Sequence, residues 1–463
     1  MPPWLTPRLR VPFAFVLLLA SGLLVAPTHA QPAEAPGQAH MEGRVTVSPA
    51  VDSTQQYNGF NVLVAQRTGG GIDTLGSAVT DASGAFAMDV QALDRRIVPL
   101  VISRRGEALL SADYVVAPGD SSVLNVQFPL GNRPLQIRSP ENSAWLAYQN
   151  TLALYRQSLV QSLQSDSMMA QAMDQRIEQT VAILWDLSDA FPNTLGAAHA
   201  KAETIILLEG WDDALAVERA QRVAPENPRY IEVARAARRA QARRAGQEAA
   251  LALLDQFQQR ARNDNQRAAL LAEVARARID STEQRAALVA ARALASAYPD
   301  TDWANWADRA AYEVQNLMPG MEVPGFSVTT WQGTALDLSD LRGRPVLLEF
   351  YDPADALYRK QLPTRNAIYE GTRASDLAVV SVSLQPDSLL NEGFFDGREL
   401  PGTHVVAPQE QVRGFINTYN VGALPTRFLI DAQGRIVDKY VGSGFSALQD
   451  VIARRFTSKT PSP

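Results

Sequence analysis

Residues 346–363 read VLLEFYDPADALYRKQLP. The first six residues form a mainly apolar run, which is typical of a strand buried on both faces of a sheet. The polar residues that follow predict a helix start, with Asp352 as N-cap, Pro353 as first helical residue and Asp355 three residues after the cap, an acidic variant of the capping box. The stretch therefore predicts a buried strand that leads directly into a helix.

Later segments continue the alternation of strand and helix. Residues 377–383 form a second apolar strand, and residues 424–437 contain two strands separated by a Gly-containing turn, which indicates a hairpin. A last helix is predicted over residues 446–456. Strand, helix, strand, hairpin and helix is the order of the thioredoxin fold, so we expect an α/β thioredoxin-like domain at residues 318–458.

The same stretch resembles the active-site motif of exported thiol–disulfide oxidoreductases of the TlpA/ResA type, within the redoxin and AhpC/TSA group. That family has F-W-A-x-W-C-x-x-C-R-x-E-x-P, whereas residues 350–363 read FYDPADALYRKQLP, with both flanks aligned without a gap. Asp355 stands at the position of the nucleophilic cysteine and Tyr358 at that of the resolving cysteine. The resemblance covers about 140 residues, nearly a third of the chain.

The whole chain contains no cysteine. Thiol–disulfide exchange requires a thiolate, and the peroxidase chemistry of the related antioxidants requires a cysteine that becomes sulfenic acid. A carboxylate and a phenol replace neither group. Asp355 and Tyr358 are therefore interpreted as degenerate active-site positions, and we predict no catalytic residues of the family's kind and no cofactor.

Two interpretations of the local acidic residues stay open. A capping role explains Asp352 and Asp355, because a helix N-terminus carries unpaired N–H groups and a positive dipole end. Alternatively, Asp352, Asp355 and Glu349 form a metal site or a general-acid pair, but carboxylates without histidine are a weak ligand set, and no metal is predicted. If Glu349 is buried, desolvation should raise its pKa. At a strand edge it would instead meet water or an arginine.

Pro425 stands where the family has a cis-proline facing the active site. The resemblance makes Leu424, Pro425 and Thr426 candidates for pairing with an extended polypeptide. The alternative is a tight turn that the fold itself requires. His404 and His199 are isolated in the sequence and are interpreted as ordinary surface or core residues.

The N-terminal third differs in character. Residues 1–30 have a basic flank, a short apolar run and a small-residue exit, which predicts a secretory signal peptide, and residues 31–40 are interpreted as a linker. Residues 41–131 contain short alternating strands separated by turns, which predicts an antiparallel β-sandwich. The segment TDASGAF at residues 80–86 resembles the T-D-x-x-G-x-F hairpin of carboxypeptidase regulatory-like domains, modules that serve structure or binding.

Residues 139–317 change to helical periodicity. Residues 210–228 resemble half a tetratricopeptide repeat, but no strict period recurs, so we expect an all-α, tetratricopeptide-like bundle or irregular solenoid. Two proline-containing segments, 191–194 and 298–301, should end one helix and cap the next. Residues 229–292 hold thirteen arginines against seven acidic residues, which indicates either a solvated helical face or a basic docking face.

These patterns predict an exported, three-domain, redox-inactive protein of the cell envelope that acts as a binding or scaffold module for polypeptide partners. The alternative is an enzyme that uses non-thiol chemistry around Asp355 and Tyr358. Nucleic acid is not expected as a partner, and no transmembrane segment is predicted after residue 30. The sequence leaves the oligomeric state open, as well as the choice between periplasm and extracellular medium.

Overall fold

A computed structural model describes residues 37–68, 71–131, 135–163, 169–372, 376–398 and 400–456. The predicted signal peptide lies outside these residues. In the N-terminal unit, two four-stranded sheets have the orders β4-β1-β7-β8 and β3-β2-β5-β6. The strands are β1 (Gln38–Val47), β2 (Phe60–Thr68), β3 (Gly71–Val79), β4 (Ala85–Gln91), β5 (Arg96–Arg104), β6 (Glu107–Val116), β7 (Ser121–Phe128) and β8 (Ile137–Arg138).

The predicted sandwich is confirmed, because both sheets contribute to one apolar core that includes Met41, Val62 and Leu124. Two details differ from the prediction. Strand β1 begins at Gln38, inside the predicted linker, since its alternating side chains already reach the core at Ala39. In addition, β1 pairs with β7 in parallel, so the sandwich is not wholly antiparallel.

The segment at residues 80–86 forms the expected tight turn. The Asp81 carboxylate accepts the backbone N–H groups of Ser83 and Ala85 at 2.8 and 2.9 Å. Gly84 has a φ of 83°, and a Cβ there would lie 2.2 Å from the carbonyl oxygen of Val45. Glycine is therefore required at this position both by the backbone conformation and by the close approach of β1.

The central region is helical throughout the part that the structure describes. Its helices are α1 (Pro140–Leu163), α2 (Met169–Ala190), α3 (Leu195–Leu208), α4 (Asp213–Gln221), α5 (Tyr230–Ala245), α6 (Gln247–Arg260), α7 (Asp264–Asp280), α8 (Gln284–Ala297) and α9 (Asp302–Asn316). From α2 onward, each helix packs against the next, and α3, α5, α7 and α9 also pack in series. This double-layered stacking resembles a solenoid, while its assignment to the tetratricopeptide class stays a prediction.

Local signals in this region are reproduced by the structure. Thr194 caps α3 by accepting the N–H of Ala197, and Thr301 caps α9 by accepting the N–H of Ala304. Of the thirteen arginines at residues 229–292, at least nine form ion pairs with carboxylates: Arg229, Arg235, Arg238, Arg239, Arg243, Arg262, Arg267, Arg276 and Arg278. Most of these arginines are therefore paired with carboxylates, and the choice between a solvated helical face and a basic docking face stays a prediction.

The C-terminal region is the predicted thioredoxin-like domain. Its five-stranded sheet has the order β13-β12-β11-β14-β15, in which β11, β12 and β13 are parallel to one another and β14 pairs antiparallel with both β11 and β15. The elements are β9 (Ser327–Thr329), β10 (Ala335–Asp337), β11 (Val346–Tyr351), α10 (Ala356–Gly371), β12 (Ala378–Ser383), α11 (Ser388–Phe395), β13 (Thr403–Val406), α12 (Gln409–Thr418), β14 (Thr426–Ile430), β15 (Ile436–Val441) and α13 (Phe445–Phe456).

Successive side chains of β11 point to opposite faces of the sheet, so they pack in two separate parts of the core. Leu348 and Phe350 pack with Phe415 of α12 on one face of the sheet. Leu347 packs on the other face with Tyr369 of α10 and with residues of α13. Helix α10 therefore covers the face that also carries Glu349 and Tyr351. Among the described helices of the chain, none combines the length and the apolar character needed to cross a membrane.

Candidate functional site

The candidate site lies where β11 ends and α10 begins. Helix α10 starts at Ala356, and Asp355 is its N-cap, whose carboxylate accepts the N–H of Tyr358 at 2.7 Å. The prediction that Asp352 caps the helix and Pro353 begins it is wrong. Asp352 instead accepts the N–H of Ala354 at 2.7 Å and its backbone carbonyl accepts that of Asp355, so residues 352–355 form a separate turn before the helix.

Tyr358 points into the protein interior and is fully buried. Its ring stacks on Tyr351 with a centroid distance of 4.4 Å, and both rings contact Phe394 of α11. Within the described part of the chain, neither tyrosine hydroxyl has a hydrogen-bond partner. Burial raises the pKa of the Tyr358 phenol well above its usual value of 10. A phenol held in this way is not suited to exchanging protons with a ligand at the surface.

Glu349 is buried and forms ion pairs with two buried arginines. Its carboxylate accepts the Nε–H groups of Arg365 on α10 and Arg427 on β14, each at 2.7 Å. The Ser381 hydroxyl donates to the same carboxylate at 3.0 Å. All three charged side chains are 0% exposed. Together with Ser381, the group links the helix to three strands of the sheet.

The expected rise in the pKa of Glu349 is wrong. Burial alone would raise it, but the charges and hydrogen bonds of Arg365 and Arg427 outweigh burial and hold the pKa at about 2. The carboxylate is therefore ionised at any physiological pH and cannot act as a proton shuttle. The sequence suggested an arginine as a partner only for a strand-edge position and identified neither Arg365 nor Arg427, although a basic residue at position 427, inside a buried strand, was a usable signal.

The ion pairs belong to a polar row that crosses the whole sheet. Directly paired residues of neighbouring strands are His404, Ser381, Glu349, Arg427 and Tyr440. Paired residues point to the same side of a sheet, so this row faces α10 and α13. The guanidinium of Arg427 also lies 4.4 Å from the ring centroid of Phe445, at the start of α13.

Of the two histidines singled out in the sequence, His404 is a core residue and His199 is only half-buried. His404 is buried, its Nε2 lies 3.2 Å from the carbonyl oxygen of Pro401, and burial, assisted by the charge of Arg365, lowers its pKa to about 4. His199 is half-buried and packs edge-on against Trp145 with centroids 5.2 Å apart. Burial also lowers the pKa of His199. The structure does not bring the two together with the acidic residues near position 355.

The peptide bond between Leu424 and Pro425 is cis. Pro425 and Thr426 are buried, while Leu424 is half-buried and packs against the core. The carbonyl of Pro425 accepts the N–H of Gly442 at 2.8 Å, and the Thr426 hydroxyl donates to the carbonyl of Ala423 at 2.6 Å. These groups are thus used inside the fold, and peptide binding at this loop stays a prediction.

The proposed set of metal ligands is not assembled. Glu349 is committed to the two arginines, and Asp355 to the helix cap. Asp352 also accepts a hydrogen bond from the amide of Gln385 at 3.1 Å. No cluster of three or more potential metal ligands of the His, Cys, Asp or Glu type occurs within the ranges that the structure covers.

A pocket of about 400 Å³ lies on the α11 side of this site. Six of the residues that form it are Pro353, Ala354, Arg359, Leu390, Phe394 and Arg398. Because β12 and β14 flank β11 on opposite sides, this pocket and the Pro425 loop lie on opposite sides of the β11 end. The pocket is therefore distinct from the loop that the sequence resemblance singled out.

Comparison with known proteins identifies similar sequences and structures. Residues 319–439 match the AhpC/TSA family. The chain is 31% identical over 132 residues to the thiol-disulfide oxidoreductase ResA of Geobacillus kaustophilus, covering 28% of this chain and 73% of that protein. It is 28% identical over 128 residues to ResA of Bacillus cereus, covering 28% and 72%. A thioredoxin domain of a Bacteroides vulgatus thiol-disulfide oxidoreductase matches at 20% identity, with a TM-score of 0.28, covering 30% of this chain and 99% of that one.

Proposed function

The chain belongs to the ResA-type thiol-disulfide oxidoreductases of the AhpC/TSA group through its C-terminal domain, and from this premise we propose that it is an exported, redox-inactive member that binds polypeptide partners. One observation carries the proposal. The two positions of the family's reactive cysteines hold a helix cap, Asp355, and a buried core side chain, Tyr358. The side chains at both positions therefore have structural roles, and the chain has no thiol elsewhere.

Export is supported by the pattern of residues 1–30. In a bacterial host, the mature chain should appear in the periplasmic or secreted fraction with residue 31 as its first residue. Mass spectrometry of the purified protein measures this directly. A chain that keeps residues 1–30 and stays in the cytoplasm would contradict the proposal of export.

Absence of redox activity is tested with the insulin reduction assay and with hydroperoxide consumption. We expect both rates to equal the background, because a mixed disulfide or a sulfenic acid requires sulfur that this chain lacks. A ResA protein with both cysteines is the positive control. Catalytic rates from a preparation shown by mass spectrometry to be free of thioredoxins would overturn this part of the proposal.

Binding is distinguished from non-thiol catalysis with Asp355→Asn and Tyr358→Phe. Asparagine is also a good N-cap, and the Tyr358 hydroxyl has no partner to lose among the described residues, so both variants should fold. A binding protein should keep the partners that the wild-type chain retains from a periplasmic extract. If either variant abolishes a measurable turnover, the enzymatic alternative is correct.

A further inference from the structure

Two of the residues that line the pocket beside α11 are small. Ala354 stands where the family motif has its second tryptophan, the residue just before the first cysteine. Gly393, on α11, also lines the pocket, and a Cβ added there would meet no atom within 4 Å. Both lining positions therefore carry short side chains, and the space around Gly393 is open.

The walls of the pocket are apolar and partly exposed. Leu389 and Leu390 at the start of α11 are 75% and 45% exposed, although both are large aliphatic side chains. The buried ring of Phe394 also borders the pocket. Adjacent exposed aliphatic side chains beside a concave surface are typical of a binding site rather than of an ordinary solvated helix.

Two arginines lie at the same pocket. The Nε–H of Arg359 donates to the carbonyl of Pro353 at 2.8 Å, and Arg398 donates to the carbonyl of Phe394 at 3.1 Å. Arg398 also lies 5.3 Å from the centroid of the Phe394 ring. Neither arginine forms an ion pair with any carboxylate among the residues described, and the lining contains no acidic residue. These contacts hold two positively charged side chains beside an apolar surface.

A second depression, of about 570 Å³, lies across α11 and shares Leu389 and Gly393 with the first. It is bordered by Trp331, which is 43% exposed and stacks on Phe395 at 4.6 Å, and by the acidic residues Glu392 and Asp396. The surface thus changes from basic to apolar to acidic across one short helix. The acidic residues of the second depression repel an acidic ligand and direct it to the arginine side. The apolar residues that continue across α11 favour a polypeptide over a small molecule.

We propose that the pocket on the arginine side of α11 binds a polypeptide segment that carries apolar side chains next to acidic ones. The apolar side chain occupies the space over Ala354 and Gly393, and the adjacent carboxylate pairs with Arg359 and Arg398. Arginine suits this role because its planar guanidinium binds a carboxylate through two parallel hydrogen bonds. This inference rests on the proposed binding function and gives it a location and a partner chemistry.

The test uses the full mature chain and two fluorescein-labelled synthetic peptides, measured by fluorescence anisotropy. Both peptides carry a leucine–phenylalanine core, which is preceded by glutamates in one and by lysines in the other. The glutamate peptide should bind at least about tenfold more tightly, and its affinity should fall with added salt. Ala354→Trp and Gly393→Trp fill the pocket and should each weaken binding about tenfold, as should Arg398→Glu.

Arg413→Glu is the matched control, because Arg413 is exposed on α12 of the same domain, away from the pocket lining. It should leave the affinity unchanged. Circular dichroism checks that each variant is folded. No saturable binding of the glutamate peptide, equal affinity for both peptides, or full affinity in both tryptophan variants would each overturn the inference. If the tryptophan variants still retain the wild-type partners from a periplasmic extract, the binding function stands and only this location is wrong.

Discussion

At position 355 a carboxylate caps a helix, and at position 358 a phenol ring fills the core beneath it. In the family motif these positions carry the sulfur atoms that exchange disulfides. The positive end of a helix lowers the pKa of a cysteine thiol placed there, whereas the N-terminus of α10 here binds the capping carboxylate of Asp355. The helix N-terminus, which favours a reactive thiolate in the family motif, therefore contributes to stability in this chain.

The buried ion pairs of Glu349 make a sharp prediction about stability. Glu349→Gln leaves Arg365 and Arg427 buried without a counter-charge, and removing one partner of a buried pair costs about 3–5 kcal/mol. We expect a loss of that size in the free energy of unfolding, measured by urea denaturation. Replacing all three residues with apolar ones, Glu349→Leu with Arg365→Met and Arg427→Met, should cost less than the single change. A loss below about 1 kcal/mol in the single variant would contradict the interpretation.

Because His404 is buried and has a lowered pKa, we expect the protein to lose stability in mild acid. Its pKa is about 4 in the folded protein, against 6.5 for an ordinary histidine, so the unfolded chain binds the proton more tightly. The contribution of uncharged His404 to the free energy of unfolding is complete above pH 6.5. It is lost as the pH falls towards 4, because the unfolded chain takes up the proton first. The difference of about 2.5 units corresponds to ~3 kcal/mol. Urea denaturation between pH 7 and 4.5 measures this loss. His404→Gln should remove most of it, and His199→Gln should leave the His404 contribution in place.

The sequence predicted part of this site well and part of it badly. The gapless alignment located Asp355 and Tyr358, because motif spacing is a local property of the chain. It could not identify the partners of Glu349, since Arg365 and Arg427 are 16 and 78 residues away and meet it only in the folded sheet. It also placed the cap three residues early, because Asp-Pro is a strong start signal in isolation, whereas the exit from β11 requires one more turn.

At the scale of elements, helix packing explains why two glycines differ. Gly196 in α3 approaches α1 so closely that a Cβ would lie 2.4 Å from the carbonyl carbon of Ala144. Gly393 in α11 faces open space. Glycine has the same low helix propensity at both positions, so the sequence alone does not distinguish them, whereas the packing does.

The two glycines form a matched pair for measurement. Gly393→Ala should raise the free energy of unfolding by up to about 1 kcal/mol, because alanine favours helix and meets no neighbour. Gly196→Ala should lower it by about 1–3 kcal/mol, because the added methyl forces α1 and α3 apart. Urea denaturation of both variants tests the sign of each change. Stabilisation by Gly196→Ala would show that α1 and α3 do not pack as described.

At the scale of the whole molecule, the sequence predicted three blocks because each has its own periodicity, and the fold class follows from that. It predicted the boundaries less well. A boundary depends on where side chains find a core: Ala39 already packs in the sandwich, and Leu317, at the end of α9, packs in the C-terminal domain. The described residues from 144 to 456 accordingly form one compact unit, although they contain two of the predicted domains.

The contacts of α9 with the C-terminal domain should determine how this part of the chain unfolds. The Tyr312 hydroxyl donates to the carbonyl of Thr418 at 3.0 Å, Glu313 pairs with Lys439 at 3.0 Å, and Leu317 is 2% exposed. Because these contacts couple the helical region to the thioredoxin-like domain, residues 144–456 should unfold in a single calorimetric transition in the full chain. Leu317→Ala, which should cost about 2–5 kcal/mol, together with Tyr312→Ala should divide that transition into two.

Leu294→Ala is the matched control for this coupling. Leu294 is fully buried, but within the helical region, so its replacement should lower the transition temperature without dividing the transition. Two separate transitions already present in the wild-type chain for this unit would contradict the coupling. If the coupling holds, a partner bound at α11 stabilises the helical region as well, since binding to the folded state raises the stability of everything that unfolds with it.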